Sequence, residues 1–227
     1  HRPAPSKYEV HSTQYAEHRP LGRLLLSITI EHCVLYTEYS PKPITCMNIL
    51  SFLKVASRDL RVGAVMPSSR WAVAKIMARV PDRLTTVLEY GPGDGVITKR
   101  LLDRLDSQGK MLAIEANPTF AATLSSIPAA RFNLVHGDAT VASSYAKEHG
   151  LSSFDLVISG IPFSMLSDKT RKDVVDMTWD LLRPGGVFLV YQTSPLMVPY
   201  LKKRFSLLTS LELRNVPPYF IMQAIKK

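Results

Sequence analysis

The chain has 227 residues, of which 46% are hydrophobic, and a formal net charge of +9 at pH 7. This is enough for one folded domain plus an extension, and the positive charge predicts an anionic partner, either nucleic acid or an anionic membrane surface. The two cysteines, Cys33 and Cys46, form no CxxC pair and belong to no His/Cys cluster, which argues against a disulfide scaffold or a zinc site.

Residues 1–46 hold both cysteines, four of the six histidines and five prolines, with little sustained periodicity. We interpret them as an N-terminal extension, and Met47, where the composition changes, is a candidate start of translation. The apolar stretch at 24–30 contains Ser27 and Thr29 and is far shorter than the ~18 to 20 residues of a spanning helix. The sequence predicts no membrane span and no signal peptide.

From Met47 onward the pattern predicts a short basic amphipathic helix over 47–61. Two interpretations stay open: the helix packs on the sheet with a solvated basic face, or it lies in a lipid interface with its basic side toward phosphates. Ser68 or Ser69 then caps a second helix through Val80, so that 47–80 form N-terminal helices on the acceptor or membrane side. Apolar residues at helical spacing are Ile49, Phe52, Leu53, Ala56 and Leu60, and the interleaved basic residues are Lys54, Arg58 and Arg61.

The central motif of the chain is a strand, a glycine-rich turn and a helix, at residues 87–102. Glycine is needed in such a turn because of unusual backbone angles and because a Cβ would keep a ligand away from the backbone. A dinucleotide fingerprint would carry another glycine where this chain has Val96. The spacing therefore disfavours a dinucleotide.

Carboxylates end three successive predicted strands, at Glu89, Glu115 and Asp138. Glu115 follows Gly95 by 20 residues, where an acid can bond both hydroxyls of a ribose. Any one of these acids could be a solvated strand end or a helix cap, but three in the same position indicate a ligand site.

The pattern acid-x-Gly-x-Gly-x-Gly at Glu89–Gly95 resembles motif I of the class I S-adenosylmethionine (SAM) methyltransferases. The resemblance implies SAM as cofactor and assigns Asp138 to the adenine amino group. Leu182–Gly186 matches a further habit of that superfamily, Leu-x-Pro-Gly-Gly before a strand. The implied cofactor-binding residues are Glu89, Gly91, Pro92, Gly93, Gly95, Glu115, Ala116, Gly137, Asp138, Ala139 and Ser159.

The implied fold class is α/β: a Rossmann-like, seven-stranded, mostly parallel sheet with an antiparallel last strand and helices on both faces, over residues 81–227. The pattern after the motif alternates accordingly. Helices are predicted at 96–105, 118–125, 140–148, 168–182 and 195–204, and strands at 110–115, 131–135, 154–159, 187–192, 207–213 and 219–225, with a turn at 183–186.

The exit of the fourth strand, residues 158–164, is where an acceptor should lie. Ribosomal RNA adenine dimethyltransferases carry Asn-(Leu/Ile)-Pro-(Tyr/Phe) here, whereas this chain has Gly160 in place of the asparagine that accepts from the target amine. Ser159–Pro162 instead resembles the Ser-(Ser/Gly)-(Leu/Ile)-Pro of bacterial phospholipid N-methyltransferases. Similarity to that family also covers 52–53, 61–69 and 215–218, and runs from about Met47 to the C-terminus.

This second resemblance implies methyl transfer to the headgroup amine of a membrane phospholipid, phosphatidylethanolamine towards phosphatidylcholine, by a cytoplasmic protein bound peripherally to an anionic membrane surface. Aromatic faces could stabilise the methylated ammonium by cation–π contact, although core packing is the alternative for each ring. His136 is interpreted as structural. The acceptor-side candidates are Ser159, Pro162, Phe163, Tyr191 and Tyr219.

Two other functions stay open at this point. An RNA adenine N6-methyltransferase is favoured by the charge and by motif I and disfavoured by Gly160. A SAM-binding or membrane-binding protein without turnover would be indicated by intact cofactor acids beside a disabled acceptor site.

Overall fold

The computed structural model describes residues 68–128, 130–215 and 217–227, together with three short strands nearer the N-terminus. The chain divides into two compact units, residues 1–57 and 58–227. In the first unit, β1 (Leu25–Ile28), β2 (Cys33–Tyr36) and β3 (Ile44–Thr45) pair antiparallel in that order. The sequence alone predicts no element there, and the basic helix expected over 47–61 lies outside the described residues.

The second unit contains a seven-stranded sheet in the order β6-β5-β4-β7-β8-β10-β9. The pairs formed by β4 to β8 are parallel, and β10 runs antiparallel to β8 and β9. The predicted fold class is therefore confirmed, including the antiparallel last strand. The strands are β4 (Leu84–Tyr90), β5 (Leu105–Glu115), β6 (Phe132–His136), β7 (Phe154–Ser159), β8 (Leu182–Gln192), β9 (Phe205–Glu212) and β10 (Tyr219–Lys226).

Six α-helices of this unit belong to the described residues, and they supply side chains to both faces of the sheet. Alternate residues of β4 point to opposite cores: Val87 packs with residues of the first two helices, and Leu88 packs with residues of the last three. The helices are α1 (Arg70–Met77), α2 (Val96–Arg104), α3 (Pro118–Leu124), α4 (Ala142–Glu148), α5 (Asp168–Leu181) and α6 (Val198–Lys202).

One edge of the sheet collects the ends that carry chemistry. Because β4 to β8 are parallel, their C-terminal ends share this edge, which we call the carboxyl edge. Phe220 pairs with Gln192 at the end of β8, and Tyr219 pairs with Glu212 at the end of β9. The turn between β9 and β10 therefore lies at the carboxyl edge as well.

Several element boundaries differ from the sequence-based predictions. Strand β5 begins at Leu105 instead of 110, and β8 takes in the predicted turn at 183–186, each with a shift of register against its neighbour. Helix α1 ends at Met77 and α6 covers only five residues. No helix of the described residues is both long and apolar enough to cross a bilayer.

Candidate active site

The glycine-rich turn after β4 has three glycines with left-handed backbone angles, φ being +66° at Gly91, +58° at Gly93 and +75° at Gly95. A Cβ on Gly91 would lie 2.7 Å from Ile161 Cγ2, and one on Gly95 would lie 2.6 Å from Leu124 Cδ2. A Cβ on Gly93 would meet nothing within 4 Å. The outer glycines are thus packed against protein while the middle one borders open space, as expected of a turn that admits a ligand.

Glu89, the one acid of β4, lies just before this turn and is completely buried. Thr98 Oγ1 donates to Glu89 Oε2 at 2.7 Å, while Oε1 has no partner among the described residues. Burial, helped by the negative charges of Glu115 and Asp94 and opposed by the Thr98 hydrogen bond, raises the pKa of Glu89 to about 8. A buried carboxyl oxygen without a partner, beside two further acids, suits a positively charged group.

Glu115 ends β5 with both carboxylate oxygens in use. Oε2 accepts from the amide of Gly93 at 2.9 Å, and Oε1 accepts from the amide of Asn117 at 2.8 Å. Glu115 therefore fixes the glycine turn and the start of α3, a role that sequence reasoning missed. Each oxygen has a further lone pair that a hydroxyl ligand could use.

The residues that follow β6 lie at the same edge. His136 Nε2 lies 3.2 Å from the carbonyl of Ala116, which agrees with a structural histidine. Asp138 is exposed and accepts the amide of Thr140 at 2.9 Å through Oδ1, so it caps the short 3-10 helix Ala139–Val141. Its assignment to an adenine amino group stays a prediction, with Oδ2 as the oxygen left for that role.

Gly137 and Ala139 frame Asp138 by close packing. A Cβ on Gly137 would lie 2.5 Å from the hydroxyl of Tyr145, and Ala139 is buried in the core.

The exit of β7 is dominated by a contact between Gly160 and Tyr191. A Cβ on Gly160 would lie 2.5 Å from the Tyr191 hydroxyl, 2.8 Å from its Cζ and 3.2 Å from the carbonyl of Gly91. The hydroxyl of Tyr191 thus occupies the space where a side chain at position 160 would begin. Ser159, before it, is buried and accepts weakly from the amide of Ile161 at 3.4 Å.

Tyr191 and Tyr219 form an aromatic pair at this place, with ring centroids 5.8 Å apart at 47°. Burial raises the pKa of Tyr191 well above its usual value, and the negative charge of Glu89 adds to the effect. The phenol therefore keeps its proton at neutral pH. It can donate one hydrogen bond and accept others, but it is no base.

The prediction that Phe163 is an acceptor-side aromatic does not agree with its position. Its ring is fully buried in the core on the face of the sheet that contains Leu88, whereas Tyr191 and Tyr219 pack on the opposite face. Phe163 anchors the loop instead. Pro162, beside it, is exposed.

Thr98 and Asp94 were also missed by sequence reasoning. Thr98 lies on the buried side of α2, together with Ile97 and Leu101. A polar residue among apolar ones on that face indicates a buried hydrogen bond, which Thr98 makes to Glu89.

Comparison with known proteins identifies the reaction class. Residues 87–186 match the model of a methyltransferase domain. An ornithine lipid N-methyltransferase of Singulisphaera acidiphila is 28% identical over 162 residues, which are 69% of this chain and 84% of that protein. A probable ribosomal RNA small subunit methyltransferase A of Methanospirillum hungatei is 31% identical over 42% of this chain, but over only 37% of its own length.

Among solved structures, the N-methyltransferase NodS of Bradyrhizobium japonicum with bound S-adenosylhomocysteine superposes with a TM-score of 0.58 at 10% identity, over 74% of this chain and 97% of its own. The chain is a SAM-dependent methyltransferase. Its cofactor brings an ammonium, a sulfonium, ribose hydroxyls and an adenine.

The residues described above fit that cofactor. The buried Oε1 of Glu89 lacks a partner among the described residues. Three carboxylates, those of Glu89, Asp94 and Glu115, lie at the turn, so the site is locally acidic although the chain has a net charge of +9. Glu89 would hold the cationic amino acid part, and Glu115 would hold the ribose. Bound there, SAM supplies an electrophilic methyl group.

We expect the affinity for SAM to rise with pH because Glu89 must ionise to pair with a cation. With a pKa of about 8 for the free carboxyl, the association constant should rise up to about tenfold per unit between about pH 6 and pH 8. Calorimetry in buffers of different ionisation enthalpy measures the proton released.

Glu89→Gln should remove this pH dependence, while Glu148→Gln, at an exposed acid of α4, should keep it. The raised pKa of Glu89 has the opposite effect on the stability of the free protein, which falls as pH rises while the affinity for SAM increases. The protonated carboxyl stabilises the fold at low pH, and this stabilisation is lost as pH rises through about 8. A flat affinity profile in the wild type would contradict the pairing.

Proposed function

We propose that this chain transfers methyl groups from SAM to the primary amine of a membrane lipid headgroup, with phosphatidylethanolamine as the substrate and phosphatidylcholine as the end product. The observation that carries the proposal is the contact between Gly160 and Tyr191 at the exit of β7. An amide side chain at position 160, which an RNA adenine enzyme would use to accept from its target, has no space there.

Methyl transfer to an amine asks little covalent help of a protein. The neutral nitrogen must approach in line with the methyl–sulfur bond; a nitrogen–carbon bond then forms as the carbon–sulfur bond breaks, and water removes the proton of the product ammonium. The protein's task is to position the amine. The phenol of Tyr191 can hydrogen-bond an amine, and the ring pair with Tyr219 can stabilise each methylated cation by cation–π contact.

The extent of the matches to known proteins also supports a lipid over RNA. The match with this chain covers 84% of the lipid N-methyltransferase but only 37% of the RNA methyltransferase. The net charge of +9 fits an anionic membrane surface as well as it fits RNA, and a peripheral position on the cytoplasmic side of a membrane follows from the proposal.

The experiment is a transfer assay with methyl-labelled SAM and three acceptors in parallel: phosphatidylethanolamine vesicles, ornithine lipid vesicles and total RNA. We expect label in phosphatidylethanolamine as mono-, di- and trimethylated products. Label in ornithine lipid alone would show that phosphatidylethanolamine is the wrong substrate, while the methylation of a lipid amine would still hold. Label in RNA alone would refute the proposal.

A further inference from the structure

An exposed aromatic and aliphatic surface lies at the carboxyl edge, beside the site described above. Trp71 on α1 is 41% exposed, and Leu213, next to Arg214 in the turn after β9, is 69% exposed. Large apolar side chains in such a group mark an interaction surface rather than scattered surface residues. With Arg70 and Arg214 they form what we call the Trp71 patch.

Arginines hold the tryptophan of the patch in place. The guanidinium carbons of Arg70 and Arg214 each lie 4.5 Å from the centroid of the Trp71 ring. The backbone is fixed as well, since Ser69 donates its amide to Asn215 Oδ1 at 2.8 Å and so ties the start of α1 to the β9–β10 turn. The patch is therefore one surface built from two elements.

The charge around the patch is positive. Arg214 binds Glu212 through two hydrogen bonds of 2.8 and 3.0 Å, and Lys75 lies 3.6 Å from the same carboxylate. The hydrogen bonds from Arg214 lower the pKa of Glu212 to about 2, so two cations, Arg214 and Lys75, face one permanent carboxylate, and Arg70 adds a further positive charge on the other side of Trp71. The positive surface extends into a cleft of about 550 Å³ between α1 and α2. Its lining includes Arg100 and Arg104 and one acid, Asp103.

We propose that the Trp71 patch is the surface by which this protein docks on an anionic lipid bilayer. Tryptophan and leucine enter the interfacial layer, where an amphipathic ring is favoured, and the arginines bind lipid phosphates. Docking here brings the carboxyl edge, and with it Gly160 and Tyr219, toward the headgroups. The inference rests on the proposed function for its purpose, but the binding itself is independent of turnover.

Vesicle flotation of the whole chain tests the patch. Trp71→Ala with Leu213→Ser should weaken binding to vesicles of phosphatidylglycerol and phosphatidylcholine in equal parts by about tenfold or more. Arg70→Gln should reduce the dependence of binding on salt. Ile225→Ser is the matched control, because Ile225 is 38% exposed near the opposite end of β10, and it should bind as the wild type does.

Fluorescence gives a second measurement that does not depend on the double variant folding. The chain has two tryptophans, and Trp179→Phe leaves Trp71 as the only one. Its emission should shift to the blue, and its quenching by acrylamide should fall, when anionic vesicles are added. Unchanged emission on vesicles that bind the protein would overturn the proposal.

A transfer assay on dispersed short-chain phosphatidylethanolamine separates this inference from the proposed function. The double variant should keep wild-type kcat/KM there and lose activity only on vesicles. A wild type that docks through the patch but methylates no lipid amine refutes the function and leaves the docking surface standing. If the wild type is a dimer, the double variant a monomer, and vesicle binding unchanged, the patch joins two copies and the proposal is wrong.

Discussion

Replacing Glu115 with alanine should lower the affinity for SAM by one to two orders of magnitude. The charge-assisted hydrogen bonds that a carboxylate makes to ribose hydroxyls contribute roughly 1.5 to 3 kcal/mol each. The structure adds a second loss, because Glu115 also accepts the amides of Gly93 and Asn117 and so holds the turn that the cofactor contacts. Titration calorimetry of purified variants measures the effect directly.

Glu115→Gln separates the two contributions. A glutamine keeps one acceptor oxygen, but its amide group faces a backbone N–H on one side, so one of the two anchoring bonds is replaced by two opposed donors. We expect an intermediate affinity for this variant. Glu148→Ala serves as the control for removing an acid, and an affinity of Glu115→Ala equal to that of the control would remove Glu115 from the site.

The glycine turn could be predicted from sequence because its causes are local. Three residues with positive φ require glycine, and a helix follows at once, so the pattern of Gly91, Gly93 and Gly95 is visible without tertiary information. The shared edge of the acids follows equally simply, since parallel strands end on one side. Both features, the glycine turn and the shared edge of the acids, can be predicted without knowing which side chains pack on the turn.

The start of β8 at Leu182 could not be read in the same way. Asp155 accepts the amides of Thr85 and Thr86 at 2.6 and 2.9 Å, and Arg183 donates to it at 2.5 Å. These contacts join β4, β7 and β8 beside residues 183–186, where β8 pairs with β7 at Leu182 and again only from Val187. Contacts so distant along the chain leave no periodic signal in the sequence.

The acceptor exit shows the same limit. The sequence correctly marks residues 158–164 as the exit of a strand, but the position of the Tyr191 hydroxyl, 2.5 Å from where a Cβ of residue 160 would lie, depends on the parallel pairing of β7 with β8. Phe163 illustrates the same limit, because a ring next to a predicted site can turn into the core. A motif places the backbone of a residue and leaves the direction of its side chain open.

Gly160→Asn should abolish the methylation of phosphatidylethanolamine, with a loss in kcat/KM of about a hundredfold or more. The new Cβ would approach Tyr191 to 2.5 Å and the carbonyl of Gly91 to 3.2 Å, so the tyrosine must leave its place beside Tyr219. The acceptor amine then loses its hydrogen-bonding phenol and meets a bulky amide. Transfer assays on lipid and RNA, run side by side, measure the change.

Gly150→Asn is the matched control for this substitution. Gly150 has a φ of +66°, which asparagine tolerates better than most residues, and a Cβ there would meet nothing within 4 Å. This variant should keep wild-type activity. Thermal unfolding of both variants, with SAM affinity measured on each, shows whether a loss at position 160 arises from the acceptor side or from a damaged fold.

The double variant Gly160→Asn with Tyr191→Leu separates crowding from chemistry. Leucine removes the hydroxyl and Cζ that a Cβ at position 160 would strike, so we expect the double variant to regain the stability that Gly160→Asn loses. Activity on the lipid should stay low, because the proposed partner of the amine is gone. If Gly160→Asn instead raises methylation of RNA and leaves lipid activity intact, the acceptor is an adenine, since only a planar base gains from an amide at that position.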